Sequence, residues 1–147
     1  MSSIERPTWD ELLMDMAFLV SERSVIPTKV GAVLVHDRRV VSMGYNGKPA
    51  GCTHIHRDGN YELDEIHAEQ NAIAFAARRG ISTDGATLYC TVAPCIHCAK
   101  LLIAAGIKYV ICINKTAKNQ DSCPDGVPLL MEYGINVRFV QKADSSN

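Results

Sequence analysis

Pro94-Cys95-Ile96-His97-Cys98 decides how this chain is read. Two cysteines three positions apart can bind one ion from the first turn of a helix. Pro94 favours a helix start there, because its missing N–H would have no partner in a first turn. The free N–H groups and the dipole of that turn draw both thiols toward thiolate, the form that binds zinc. Alone, a CxxC pair fits a zinc site, a redox pair or a chance spacing.

A second stretch, Glu65-Ile66-His67-Ala68-Glu69, narrows the choice. His67 offers a third donor. Three protein donors leave a tetrahedral ion one open position, which separates catalytic from structural zinc sites. Zinc in such a site activates a water molecule. Glu69, two residues beyond His67, can face the same site without binding the ion and carry protons as a general acid and base. HxE followed by PCxxC, in this order, is a zinc-deaminase signature. Taken singly, His67 is an ordinary histidine, Glu69 a solvated helix residue, and the two cysteines small buried apolar groups. Their joint spacing favours a catalytic zinc held by His67, Cys95 and Cys98, with Glu69 as proton carrier.

The length of 147 residues suits one domain over 1–147, with its core in about 8–140 and a disordered tail at 141–147. A formal net charge of -1 leaves no general footprint for a polyanion, which argues against a nucleic-acid polymer as partner. The first ten residues carry no signal-peptide pattern, and no apolar run is long enough to span a membrane. Six cysteines would suggest disulfides only in a small secreted chain, so a reducing, cytoplasmic compartment is the expectation.

Thr8 and Glu11 have the spacing of a capping box, and the apolar positions that follow predict a helix to about residue 23. Strands are expected over 30–35 and 40–45, joined by a turn at Asp37-Arg38-Arg39 into an antiparallel hairpin. A helix over 68–79 ends at Gly80, and a strand over 87–92 delivers the chain to Pro94. The helix 95–105, the strand 109–113, the helix 127–133 and the strand 135–140 complete the pattern. The order α-β-β-α-β-α-β-α-β predicts an α/β fold of three layers, α/β/α, with a five-stranded mixed sheet whose last three strands run parallel.

The glycine-rich stretch 44–52 and the long loop that follows it form one expected wall of the site. Asn46 is a candidate for a sugar hydroxyl or a plain turn residue. Lys48 is a candidate for a phosphate or a solvated lysine. Cys52, His54 and His56 are either donors to a second zinc or ordinary loop residues.

These motifs together resemble the cytidine deaminase-like superfamily. Its marks here are Val30-Gly31-Ala32-Val33-Leu34-Val35, Ile66-His67-Ala68-Glu69-Gln70-Asn71-Ala72-Ile73, Gly85-Ala86-Thr87-Leu88-Tyr89 and Ala93-Pro94-Cys95-Ile96-His97-Cys98-Ala99-Lys100. Gly44-Tyr45-Asn46-Gly47, followed by a proline and Gly51-Cys52, resembles the deoxycytidylate (dCMP) deaminase branch. The resemblance implies a hydrolase acting on the C–N bond of a cyclic amidine. It would convert dCMP to dUMP with release of ammonia, for thymidylate synthesis. It also implies a homohexamer, with dCTP as activator and dTTP as inhibitor.

For the substrate, the resemblance implies that the Ala68 N–H holds the C2 carbonyl oxygen. A main-chain carbonyl near Ala93 would accept from the amino group, and Asn46 would grip the sugar hydroxyl. Lys48, Arg57 and Lys115 are the phosphate candidates. The loop 52–64 resembles the region where some phage members hold a second zinc, although its ligand set is incomplete. The stretch 114–123 departs from the tyrosine-containing pattern of the family.

Three rival readings remain. One is a deaminase of cytidine, guanine or adenosine in transfer RNA, which the stretch 44–52 disfavours. Another is a catalytically silent zinc module that binds nucleotides and regulates a partner, in which Glu69 would have no task. The last is a thiol redox protein, which leaves His67 and Glu69 unused.

Overall fold

The computed structural model describes residues 5–49, 65–113 and 125–141. Arg57, Lys115, the second-metal candidates Cys52, His54 and His56, the stretch 114–123 and the tail 142–147 lie outside the described residues.

Helix α1 spans Trp9–Ser21. The Thr8 hydroxyl accepts from the Glu11 amide at 3.1 Å, and the Glu11 carboxylate accepts from the Thr8 amide at 3.2 Å, so the expected capping box is present. Strands β1 (Gly31–His36) and β2 (Arg39–Tyr45) pair antiparallel. Their turn is tighter than expected. Only Asp37 and Arg38 lie in it, both at positive φ (48° and 61°), while Arg39 already pairs with His36. Positive φ at both central positions is the turn geometry that matches strand twist.

Helix α2 (Ala68–Arg78), β3 (Thr87–Cys90), α3 (Ile96–Ala104), β4 (Tyr109–Ile113), α4 (Val127–Glu132) and β5 (Asn136–Val140) follow in the expected order. Strand β3 is two residues shorter than predicted. Beyond Cys90 the chain bends toward Pro94, and Thr91 is held by two bonds to Gly31, one from its amide and one to its hydroxyl.

The sheet order is β2-β1-β3-β4-β5. β3 runs antiparallel to β1, and β4 and β5 run parallel to it, which gives the expected mixed sheet. Successive side chains go to opposite faces. Val33, Val35, Tyr89 and Ile111 face α1, packing with Leu13, Met14 and Ala17. Ala32, Leu34, Leu88, Cys90, Val110 and Cys112 face the other way, in one core with residues of α2, α3 and α4. The three layers are therefore α1, sheet, and α2–α3–α4.

Two glycines set how closely the helices approach. A Cβ on Gly31 would collide with the Ala17 carbonyl oxygen of α1, and one on Gly44 with the Ala68 carbonyl oxygen of α2. Both helices rest directly on backbone.

Candidate metal and catalytic centre

The site forms where two helix starts meet one end of the sheet. In register, Gly31 pairs with Tyr45 and Ala32 with Cys90, so β2 and β3 both finish at this end. The chain after β3 turns at Pro94 into α3, with Cys95 as N-cap and Cys98 in the first turn. On the other side, Gly47 and Ile66 bridge, which sets His67 as the N-cap of α2. The Gln70 side chain accepts from the His67 amide at 2.8 Å and steadies that position.

His67, Cys95 and Cys98 come together as the sequence predicts. Their donor atoms lie within 4.8 Å of one another. His67 Nδ1 is 3.5 Å from Cys95 Sγ and 3.4 Å from Cys98 Sγ. Nitrogen and sulfur donors on a tetrahedral zinc, at about 2.05 and 2.3 Å from the ion, sit about 3.6 Å apart. The donor set therefore fits zinc in spacing as well as chemistry, with Nδ1 as the histidine donor. The Cys98 thiol is held well above its ordinary range, first by its bond with Cys95 and then by burial. The bond with Cys95 likewise raises His67, against the lowering effect of burial.

Glu69, in the first turn of α2, is only 3% exposed. It shares a side-chain hydrogen bond with Cys98, and its charge pushes up both His67 and Cys98. Its Oε1 accepts from the Cys90 thiol at 3.2 Å. Nothing in the sequence reading drew attention to Cys90. The available signal was the alternation of β3, which puts Cys90 on the helix-bearing face with Leu88.

The segment before α4 also borders the site, with no signal in the sequence. Asp125 bridges Cys95, and the Gly126 amide donates to the Pro94 carbonyl at 2.9 Å. A Cβ at Gly126 would collide with the Cys95 carbonyl oxygen, so this glycine lets α4 begin directly on the cysteine turn.

Asn46 is 3% exposed and knits the neighbouring loops together. Its Oδ1 accepts from the Val30 amide at 2.8 Å, and its Nδ2 donates to the Thr28 carbonyl at 2.7 Å and to Glu65 Oε1 at 2.9 Å. Ala68 is the first residue of α2, where the N–H has no partner within the helix. Ala93 is buried just before Pro94, and Lys48 is half-buried.

A half-buried imidazole and two buried thiols with a buried carboxylate beside them make a site that can hold an ion and move protons. Residues 7–114 match the cytidine and deoxycytidylate deaminase zinc-binding region. The chain is 38% identical over 144 residues to the ComE operon protein 2 of Bacillus subtilis, covering 94% of this chain and 74% of that one. It is 34% identical over 179 residues to the deoxycytidylate deaminase of Enterobacteria phage T2, covering 92% and 94%. Among solved structures, the dCMP deaminase of cyanophage S-TIM5 in complex with dCMP and dUMP superposes with a TM-score of 0.80 at 33% identity, covering 92% of this chain and 99% of that one. The chain belongs to the cytidine and deoxycytidylate deaminase family. No helix among the described residues is long and apolar enough to cross a membrane.

Proposed function

We propose that this protein hydrolyses the exocyclic C–N bond of dCMP, giving dUMP and ammonia. The observation that carries the reading is the buried Glu69 carboxylate against the His67, Cys95 and Cys98 donors. Relatives named deoxycytidylate deaminase, and a neighbouring structure holding dCMP and dUMP, support the choice of substrate.

His67, Cys95 and Cys98 hold the zinc, which when bound supplies an activated water. Glu69 takes a proton at its carboxylate and delivers it to N3 of the cytosine ring as C4 is attacked. It then carries a proton to the amine that leaves as ammonia. The Ala68 N–H is available to hold the C2 carbonyl oxygen, and the carbonyl near Ala93 to orient the amino group. Asn46 contributes the remaining lone pair of Oδ1, with Glu65 beside it, toward a sugar hydroxyl. Lys48 is the phosphate candidate among the described residues.

The same reading makes the product a supply of dUMP for thymidylate synthesis in the cytoplasm. It makes the assembly a homohexamer, with dCTP activating and dTTP inhibiting. These features rest on the resemblance of the motifs.

The test is ammonia release from dCMP beside deoxycytidine, CMP and dCTP, each with and without dCTP or dTTP as effector. Turnover confined to dCMP is expected. Turnover of deoxycytidine would move the enzyme to the nucleosides. Zinc binding with silence on every substrate would overturn the catalytic reading.

A further inference from the structure

The proton carrier is itself held from behind. Cys90 ends β3 on the face that carries α2 and α3, with no exposed surface, and its sulfur lies 3.2 Å from Glu69 Oε1. It pairs in register with Cys112 of β4, whose side chain is also fully buried. Burial, and next the Glu69 charge, push the Cys90 thiol well above its ordinary range, so it stands as the S–H donor and the carboxylate as acceptor. Among the described residues the set that fits an ion is His67, Cys95 and Cys98, and Cys90 is not part of it. A carboxylate on a helix side chain has free torsions, and a proton carrier works only within a narrow range of angles.

We propose that Cys90 is a positioning residue for the deamination: its thiol fixes Glu69 Oε1 and so sets the angle of the carboxylate toward the donor set and the substrate. The proposal rests on Glu69 being the proton carrier. It assigns Cys90 no contact with substrate.

Three variants test it in the zinc-loaded enzyme. Cys90→Val keeps the bulk and removes the donor. Its kcat on dCMP is expected to fall about tenfold, equivalent to about 1.4 kcal/mol, with KM within about twofold and zinc content unchanged. Cys90→Ser keeps a donor and is expected to recover kcat to within about threefold of wild type. Cys90→Val at the wild-type rate, or Cys90→Ser falling as far as Cys90→Val, would overturn the proposal.

Infrared spectra of the thiol region give a readout that does not depend on how well Cys90→Val folds. Against wild type, Glu69→Ala is expected to move one S–H band to higher wavenumber, and that band is expected to be missing in Cys90→Ser. An unmoved spectrum overturns the bond. Glu69→Ala with substantial turnover would overturn the proton-carrier reading instead. Glu69→Ala silent beside Cys90→Val at full rate would remove only the positioning role.

Discussion

Tyr89 and Cys90 are neighbours on β3, and the pleat sends them to opposite faces of the sheet. Each donates to a carboxylate. The Tyr89 hydroxyl bonds Asp10 Oδ1 at 2.6 Å, while Arg138 takes Asp10 Oδ2 at 2.6 Å. Both oxygens of Asp10 are thus tied, one by a phenol and one by a guanidinium. Cys90 bonds Glu69 through a weak S–H donor, and the rest of that carboxylate faces thiols and an imidazole. One carboxylate is locked by strong donors and staples α1 to the sheet. The other is lightly held beside His67, Cys95 and Cys98, where the proposed function has it carry protons. The same strand serves stability on one face and, in the function proposed above, chemistry on the other.

The sharpest way to break this contrast is to remove each carboxylate in turn. Glu69→Ala is expected to keep its zinc and its melting temperature while kcat falls by about two to four orders of magnitude. Asp10→Asn is expected to leave kcat within about twofold and to lower only the melting temperature. Metal analysis and thermal melts beside the ammonia assay read both. A Glu69→Ala enzyme with substantial turnover would collapse the distinction between the two faces.

The helix seats make the same comparison through packing. Gly31→Ala and Gly44→Ala each drive a methyl into helix backbone that cannot swing away, at a cost of about 3 kcal/mol or less. Displacing α1 through Gly31→Ala is expected to lower stability and leave zinc affinity alone. Displacing α2 through Gly44→Ala moves the helix that starts at His67, so zinc affinity is expected to fall with stability. Chelator competition on the two variants separates them, and equal zinc loss in both would show that the faces are not independent.

The catalytic face is also expected to respond to pH through its donors. Cys98 and His67 both have raised proton affinity in the free donor set, and zinc needs the thiolate and the neutral imidazole. Protons therefore compete with the ion at low pH. Zinc affinity is expected to rise with pH across the neutral range, by about tenfold per unit for each proton displaced. Competition titrations at several pH values check the slope, and a flat profile would mean the donors are already deprotonated.

The meeting of His67, Cys95 and Cys98 was legible because all of its information is local. His67, Cys95 and Cys98 are separated from their helix starts by a residue or two, and helix starts leave signatures in sequence. The antiparallel hairpin and both parallel crossovers were legible from period and punctuation. What escaped depends on which strands lie side by side. The pairing of β1 with β3 cannot be read from either strand alone, and without it Cys90 is only an apolar residue in a strand. The sequence offers Asn46 as a sugar contact or a turn residue, but not its three side-chain bonds to Thr28, Val30 and Glu65, partners 16 to 19 positions away. Arg38 at positive φ shows a turn geometry winning over residue preference, since no glycine or asparagine marked it.

The smallest effect lies on the α1 face, where the two donors to Asp10 can be weighed against each other. Tyr89 is buried, so Tyr89→Phe leaves Asp10 Oδ1 without its phenol and is expected to lower stability by about 1 kcal/mol. The Arg138 side chain is 60% exposed, and solvent screens its pairing with an Asp10 side chain that is 27% exposed. Arg138→Gln is therefore expected to cost about 0.5 kcal/mol or less and to matter least at high salt. Denaturant melts of the two variants at low and high ionic strength measure the difference. A larger loss from Arg138→Gln than from Tyr89→Phe would mean that the guanidinium, not the buried phenol, holds α1 to the sheet.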